Sequence, residues 1–594
     1  MPSALTINLG VVIAYLLAML GVGLALARYV RSTDDFFLAG RSLNRWVVCG
    51  SVMATNVAAV YLVGPAGNAY SEGAQLLLLA WTGNMTAAIS AVTFVPYFRR
   101  LRVTTISELL ASRYGRPVAV LVAGMWIVFY ALFSGVNIFT CATVLTGAFD
   151  WTQHAILVTV IVAAVVIAYC LFSGLLAVAY TDLLQAFLII LGAVILLPLG
   201  LKEGGGLSAL LNQTEPDKWA LWRPPTEGYS YNYRTMLMFT LLGLPYWFTS
   251  QYLLQRSFAG KNVREASYGL LLAALFTGPL TFCYIIPAMA ARLSPNVSVA
   301  ESDQILSAMI QTVIPVGLAG VFLAALVAAS NSTASSYLNS IATLLERDIY
   351  RPIAPDRAPR HYVRVGRLVT VVAGLVGLGY ALWAQAQSKS VLDAAWALNS
   401  IFQPPIFVVV LGALFFTRAT LAGGVACLVV GVSFGLLAAY EWFGPTMATP
   451  ESRTFYGFPI CGGVLVFVSL LTPPPKPQQL EAFSRATYAT APATRRTIGG
   501  LIAALLCLAG FVLCAFYDAA LPKPANVLLT FVTMIGFILG MYVAAPMFLP
   551  AEEEEASDEA APIERSLLVR GLANGKTWAL VFAVAIVLVV VLSF

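Results

Sequence analysis

The chain has 594 residues, of which 59% are hydrophobic and only 10% are charged, and its mean hydropathy is +0.83. An ordinary soluble domain carries about 25% charged residues, so the composition excludes a water-soluble globular protein. It also excludes a disordered chain, which would be polar and highly charged. The apolar runs are continuous over about 20 residues, unlike the short alternating strands of a membrane β-barrel, so they predict membrane-spanning helices.

Sixteen apolar segments are long enough to cross a bilayer. In chain order they cover 6–28, 43–68, 73–98, 117–148, 155–173, 178–201, 233–256, 266–292, 304–345, 365–386, 395–416, 420–441, 455–472, 497–517, 525–549 and 577–594. The 304–345 segment is too long for one crossing, so we expect an outer loop helix followed by a span from residue 318. The first segment lacks a basic stretch before it and a cleavage motif, so it predicts a mature helix rather than a signal peptide.

The basic residues set the predicted orientation, because most of the 34 Lys and Arg residues fall in alternate loops. Cytoplasmic loops of membrane proteins are enriched in these residues. We therefore assign to the cytoplasm the loops at 29–42, 99–116, 257–265 and 346–364. Both termini then lie outside, 202–232 is the largest external segment, and the acidic run at 552–559 is a cytoplasmic linker.

Neither an enzyme nor a metal centre is indicated by the sequence. The eight cysteines lie in or beside apolar runs without a CxxC pattern, and the two histidines are far apart, so we expect no metal cluster built from them. The stretch GLANGKT at 571–577 has one residue too few between its glycines for a phosphate-binding loop, and no strand precedes it. We expect a protein that is not an enzyme and binds no nucleic acid.

The stretch AASNSTASSYLNS at 328–340 is rich in hydroxyl groups for an apolar span. The residues that share one helical face are Ala329, Ser332, Thr333 and Ser336, with Ser335 beside them. One interpretation is that these hydroxyls bond to their own backbone or to neighbouring helices. The other is that they supply oxygen ligands to a hard cation such as sodium.

Two further polar features lie at membrane depth. The second span carries Asn56, Gly64, Pro65 and Asn68, which predict a broken helix, and unwound helices in membranes line cavities or lie buried in protein. Asp182 lies near the start of the 178–201 span; it is either a residue of a functional site or a structural residue, namely an interfacial helix cap or a residue tied to a neighbouring helix.

Seven segments resemble the sodium:solute symporter family, and most closely its sodium/glucose cotransporter-like branch. They are DFFLAGRSL (35–43), GSVMATNVAAVYLVG (50–64), FSGLLAVAYTDLLQ (172–185), PYWFTSQYLLQRSFAGKNVREA (245–266), AALVAASNSTASSYLNSIATLLERDIY (324–350), QPPIFVVVLGALFFTR (403–418) and SLLTPPPKPQQLEAF (469–483). The resemblance covers residues 6–485.

The resemblance implies an all-α polytopic membrane protein with a LeuT-type fold, in which two inverted repeats of five helices surround a site at mid-membrane. The implied division is a leading helix and first loop at 1–42, a first repeat at 43–201, an extracellular loop at 202–232, a second repeat at 233–416, peripheral helices at 417–485 and additional C-terminal helices at 486–594.

The resemblance also implies sodium ligands. The main site would use carbonyl groups of Ala54, Val57 and Ala329 and hydroxyl groups of Ser332 and Thr333. A second site, found in some family members, would use Asp182, Ser332, Ser335 and Ser336. We therefore hypothesise Na⁺ as the coupling ion, with one or two ions per cycle.

For the solute, the polar side chains that grip sugars in relatives are absent at the matching positions, which are Tyr61, Ala80, Gly83, Gly243 and Thr277. The resemblance instead implies a more apolar pocket lined by Asn56, Tyr61, Trp81, Tyr246 and Trp247. No Arg or Lys is predicted deep in the bundle, which favours a neutral or zwitterionic solute over an anionic one.

The sequence thus predicts a sodium-coupled symporter of the plasma membrane, or of the inner membrane in a bacterium, that imports a small organic solute by alternating access. No obligatory protein partner is indicated besides the lipid bilayer, the solute and sodium. Sodium/sugar cotransport with a non-standard pocket, a proton-coupled symporter and a transporter-like sensor remain alternatives.

Overall fold

A computed structural model describes residues 4–27, 33–101, 103–172, 174–223, 231–387, 390–484, 493–516 and 522–550, and this part of the chain is almost entirely helical. In chain order the α-helices are α1 (Ala4–Ala27), α2 (Thr33–Leu38), α3 (Arg45–Asn56), α4 (Ala59–Glu72), α5 (Leu77–Val92), α6 (Phe94–Arg100), α7 (Ile106–Tyr114), α8 (Arg116–Ala148), α9 (Ala155–Phe172), α10 (Leu175–Glu203), α11 (Gly206–Gln213), α12 (Tyr233–Thr249), α13 (Gln251–Phe258), α14 (Val263–Leu280), α15 (Phe282–Ala291), α16 (Ile305–Thr312), α17 (Leu318–Leu344), α18 (Pro359–Ala386), α19 (Val391–Phe415), α20 (Leu421–Ala439), α21 (Pro450–Leu471), α22 (Pro477–Ser484), α23 (Arg495–Phe516) and α24 (Lys523–Ala544).

The described residues contain 13 helices long and apolar enough to span a membrane, or 14 when the bent pair α3 and α4 counts as one span. Of the other two predicted spans, 233–256 corresponds to α12 and α13. The segment 577–594 lies outside the described residues, as do the acidic run at 552–559 and both termini. The long 304–345 segment divides as expected, because α16 precedes α17, which begins at Leu318.

Two of the spans are broken near their middle. Between α3 and α4 the axis bends by 52°, and the backbone at Ala58 is extended. Between α12 and α13 the backbone is extended at Ser250. In the division predicted from the sequence, α3 and α4 open the first repeat and α12 and α13 open the second, so the two breaks fall in the first span of each predicted repeat.

The two broken spans are joined at one end by backbone hydrogen bonds. The amide of Leu43, just before α3, donates to the carbonyl of Ala259, just after α13, at 3.0 Å. The amide of Lys261 donates in return to the carbonyl of Leu43 at 2.7 Å. This short parallel bridge fixes the start of one broken span against the end of the other.

Small residues let the helices of the bundle approach closely. Where α8 crosses α18, a β-carbon added to Gly135 would lie 2.3 Å from the carbonyl oxygen of Gly377. Where α10 meets α17, one added to Gly192 would lie 2.6 Å from the β-carbon of Ala325. In contrast, α9, α18, α20 and α23 keep large apolar side chains exposed, as expected for helices that face lipid.

Gly135→Ala should destabilise the protein, because its new methyl group would collide with the backbone of α18 rather than with a movable side chain. Overpacking of this kind costs about 1–3 kcal/mol. Thermal unfolding of the purified protein in detergent would measure the loss. The matched control is Gly124→Ala on the same helix, where nothing lies within 4 Å of the added atom. Equal melting temperatures for the two variants would contradict the close crossing.

Candidate solute and sodium site

The break after α3 removes several backbone carbonyl groups from the helical hydrogen-bond ladder. The amide of Val57 donates to the carbonyl of Met53, whereas the next described bonds run from Tyr61 and Leu62 to the carbonyl of Ala58. Carbonyl groups in the last turn of a helix have no partner within it. The last turn of α3 and the break that follows it, residues 54–57, can therefore present carbonyl oxygens to another group.

Helix α17 presents its hydroxyl-bearing face to this break. The Thr333 hydroxyl donates to the carbonyl of Thr55 at 3.0 Å, and the Thr55 hydroxyl lies 3.4 Å from that of Ser332. Ala54, Ala329, Ser332 and Thr333 are completely buried. The structure thus brings the segment with Ala54 and Val57 against the segment with Ala329, Ser332 and Thr333, which are the five residues predicted for the main sodium site.

Asp182 lies at the junction of four helices and is completely buried, so it is not interfacial and is tied to neighbouring helices. It accepts hydrogen bonds from Ser51 of α3 at 2.6 Å and Ser332 of α17 at 2.7 Å. Arg256 of α13 forms an ion pair with it at 3.0 Å. Of the other predicted ligands, Ser336 also contacts Arg256, whereas the Ser335 hydroxyl donates to the carbonyl of Ser332 in its own helix.

Arg256 corrects the expectation that no Arg or Lys lies deep in the bundle, since its side chain is only 1% exposed. Besides Asp182, its guanidinium group donates to the Ser51 hydroxyl at 2.8 Å and to the carbonyl of Tyr252 at 2.5 Å. The sequence prediction placed Arg256 at the membrane surface because the break at Ser250 was not anticipated. The signal that could have found it is the polar composition of QYLLQRS directly after an apolar helix.

A cavity lies between the helices of the two predicted repeats. It is lined by residues from the break after α3 and from α4, α5, α12, α14 and α19. Four of the five predicted solute-binding residues line it, namely Asn56, Tyr61, Tyr246 and Trp247. The Tyr246 hydroxyl donates to the side-chain oxygen of Asn56 at 3.0 Å, so the two broken spans meet at the cavity wall.

The fifth residue, Trp81, does not line this cavity and is completely buried behind its wall. Its neighbours Ala80, Gly83 and Asn84 line the cavity. The indole nitrogen of Trp81 instead donates to the hydroxyl of Thr281 at 3.0 Å.

Sequence reasoning missed three amide side chains that line the cavity: Asn84 of α5 and Asn399 and Gln403 of α19. The side-chain nitrogen of Asn84 and the side-chain oxygen of Gln403 have no hydrogen-bond partner among the described residues, and neither does the indole nitrogen of Trp396. None of the residues that line this described cavity carries a charge. The spacing of Asn399 and Gln403, one helical turn apart in an apolar span, was the available signal.

Comparison with known proteins gives one family. The family model described as "Sodium:solute symporter family" matches residues 36–431. The chain is 29% identical over 505 residues to a sodium/glucose cotransporter of Vibrio parahaemolyticus, covering 78% of this chain and 90% of that one. It is 27% identical to sodium/myo-inositol cotransporter 2 of Oryctolagus cuniculus, covering 80% of this chain and 78% of that one.

Two solved structures share the fold. A Na⁺-coupled sialic acid symporter in a substrate-bound outward-open state superposes with a TM-score of 0.71 at 23% identity, covering 79% of this chain and 99% of that one. Mhp1, a nucleobase-cation-symport-1 family transporter, superposes with a TM-score of 0.50 at 13% identity, covering 76% of this chain and 98% of that one. The fold is the LeuT type with two groups of five helices, and the chain belongs to the sodium:solute symporter family as a sodium-coupled solute symporter.

Proposed function

We propose that the protein imports a small neutral or zwitterionic organic solute together with sodium by alternating access. We place it in the plasma membrane, or in the inner membrane of a bacterium, with both termini outside. The repeats are proposed to span 43–201 and 233–416. The observation that carries the proposal is that Val57 belongs both to the unwound segment facing α17 and to the lining of the cavity.

This position of Val57 couples the two ligands. A sodium ion held between the 54–57 carbonyl groups and the α17 hydroxyl groups would fix the conformation of the break. The neighbouring Asn56 accepts the hydrogen bond from Tyr246 of the second broken span, so a fixed break also fixes the cavity wall. Each ligand then favours the conformation that binds the other, as coupling requires.

The uncharged cavity lining supports a solute without net charge. Burying a strongly anionic solute there would leave its charge without a cationic side-chain partner. Sodium entry provides the free energy for solute import, since one charge that crosses the membrane gains about 2.3 kcal/mol for each 100 mV of membrane potential.

A polyhydroxylated solute is the second candidate, and the three missed amides favour it. Ala80, Gly83 and Gly243 cannot hydrogen-bond a hydroxyl through their side chains, but Asn84 and Gln403 each offer an unpaired polar atom to the same cavity. Relatives include sodium/glucose and sodium/myo-inositol cotransporters. Amide groups both donate and accept hydrogen bonds, which suits hydroxyl groups in any orientation.

Thr333→Ala should weaken sodium binding, because it removes one oxygen of the proposed main site. We expect the sodium concentration for half-maximal thermal stabilisation, with choline replacing sodium, to rise roughly tenfold, which corresponds to about 1.4 kcal/mol. Ser330→Ala is the matched control, since Ser330 is equally buried on α17 but bonds to α8. An unchanged sodium response in Thr333→Ala would exclude the site assignment.

Asp182→Asn should destabilise the protein equally in sodium and in choline, because it leaves the buried Arg256 guanidinium without its counter-charge. Breaking a buried ion pair costs about 3–5 kcal/mol. The double variant Asp182→Asn with Arg256→Gln should recover part of that loss, as measured by thermal unfolding in both salts. A loss confined to sodium would instead support the second sodium site at Asp182, Ser335 and Ser336.

Gln403→Ala should reduce solute affinity, because it removes the unpaired acceptor from the cavity. A panel of D-glucose, myo-inositol, a neutral α-amino acid and sialic acid would be compared by thermal stabilisation in sodium. We expect a neutral or zwitterionic member to stabilise the protein and to lose about tenfold in affinity in the variant. Gln185→Ala, a buried amide outside the cavity, is the control. Stabilisation by sialic acid in preference to all the others would contradict the proposed solute class.

A further inference from the structure

Helix α24 lies outside the segment that the family model matches, because that match ends at residue 431 and α24 begins at Lys523. It nevertheless packs along α5 and α14, two helices that line the cavity. It is also anchored at both ends: Lys523 donates to the Asp217 carboxylate at 3.0 Å, and the Tyr542 ring packs on that of Tyr268 with centroids 4.8 Å apart.

In the middle of α24, Phe531 contacts the residues directly behind the cavity wall. Its ring lies 5.6 Å from that of Trp81 and 4.8 Å from that of Phe282. Trp81 in turn donates a hydrogen bond to Thr281, which lines the cavity. Such aromatic pairs have preferred geometries, so Phe531 restricts the orientation of Trp81 and, through it, the position of Thr281.

One turn further along, Met534 fills the space above Gly278. A β-carbon on Gly278 would lie 2.8 Å from the terminal methyl group of Met534 and 3.6 Å from the side-chain nitrogen of Asn84. That nitrogen is the unpaired donor in the cavity, and the oxygen of the same amide accepts from Thr277 at 3.0 Å. Met534 is completely buried, so it packs here rather than against lipid.

We propose that α24 is an integral part of the solute site, with Phe531 and Met534 as positioning residues that hold the cavity wall formed by Asn84, Thr277 and Thr281. The proposal rests on the function proposed above for the cavity. The proposal predicts that α24 affects solute affinity through the cavity wall. It predicts no direct effect on sodium binding, because α24 packs against α5 and α14, whereas the predicted sodium residues lie on α3 and α17.

The test compares Phe531→Ala with Val532→Ala, the adjacent residue whose side chain is 54% exposed. Uptake of D-glucose and myo-inositol into proteoliposomes is measured as a function of solute and of sodium. Phe531→Ala should raise the KM for the transported solute about tenfold, because small misplacements of binding groups are costly. At saturating solute it should leave the half-activating sodium concentration unchanged. Phe531→Tyr, which keeps the ring, should restore the KM.

A second measurement does not depend on the identity of the solute. Thr277→Cys places a thiol in the cavity wall. Its rate of modification by 2-aminoethyl methanethiosulfonate is measured alone, together with Phe531→Ala and together with Val532→Ala. The same proteins without Thr277→Cys serve as the blank. The rate should change several-fold when Phe531→Ala is added and stay constant with Val532→Ala. Identical rates and identical KM values for the two variants would overturn the proposal. Absence of sodium-dependent uptake by the wild-type protein would count against the proposed solutes, while the cysteine rates would still decide the role of α24.

Discussion

The site depends on one constraint, which is that a membrane-buried backbone must satisfy its hydrogen-bonding groups internally. A continuous helix would do so at residues 54–57, but α3 stops at Asn56 and leaves carbonyl groups free of the ladder. One of them is satisfied by Thr333 of α17. The break thus ties α3 to α17 and at the same time leaves oxygen atoms suited to a hard cation.

The ion pair between Arg256 and Asp182 connects the helices that surround this break. It links α13 to α10, and through Ser51 and Ser332 it reaches α3 and α17. A carboxylate among serine hydroxyls resembles a cation site by composition, yet a tethered guanidinium already provides the positive charge. Buried ion pairs contribute little net stability but are costly to break, so this pair specifies how four helices meet rather than how tightly they do.

The sequence predicted the features that composition and spacing determine. Apolar run length predicted the spans, and the hydroxyl face of α17 was identified by its helical spacing. A broken first core helix was also predicted, but the break lies at Val57 and Ala58, whereas Gly64 and Pro65 lie inside the continuous helix α4. It could not predict which face of α5 points inward, because that face is chosen by packing among helices that are all apolar. Trp81 was therefore placed in the cavity and Asn84 was missed. Arg256 was missed because only the fold reveals that α13 turns inward after Ser250.

The hydrogen bonds that hold one end of the bundle together can break and re-form during a conformational cycle. Arg99 donates to the carbonyl groups of Gly260 and Lys261, Gln255 donates to that of Phe37, and Gln251 donates to that of Thr104. Each joins separate elements, and each pairs a side chain with a backbone carbonyl group. The bonds from neutral amides contribute about 0.5–1.5 kcal/mol each and those from the charged guanidinium group about 1.5–3 kcal/mol each, because water can replace the partner when they open. One sodium ion gains about 2.3 kcal/mol from 100 mV, which is the size of one or two of these bonds.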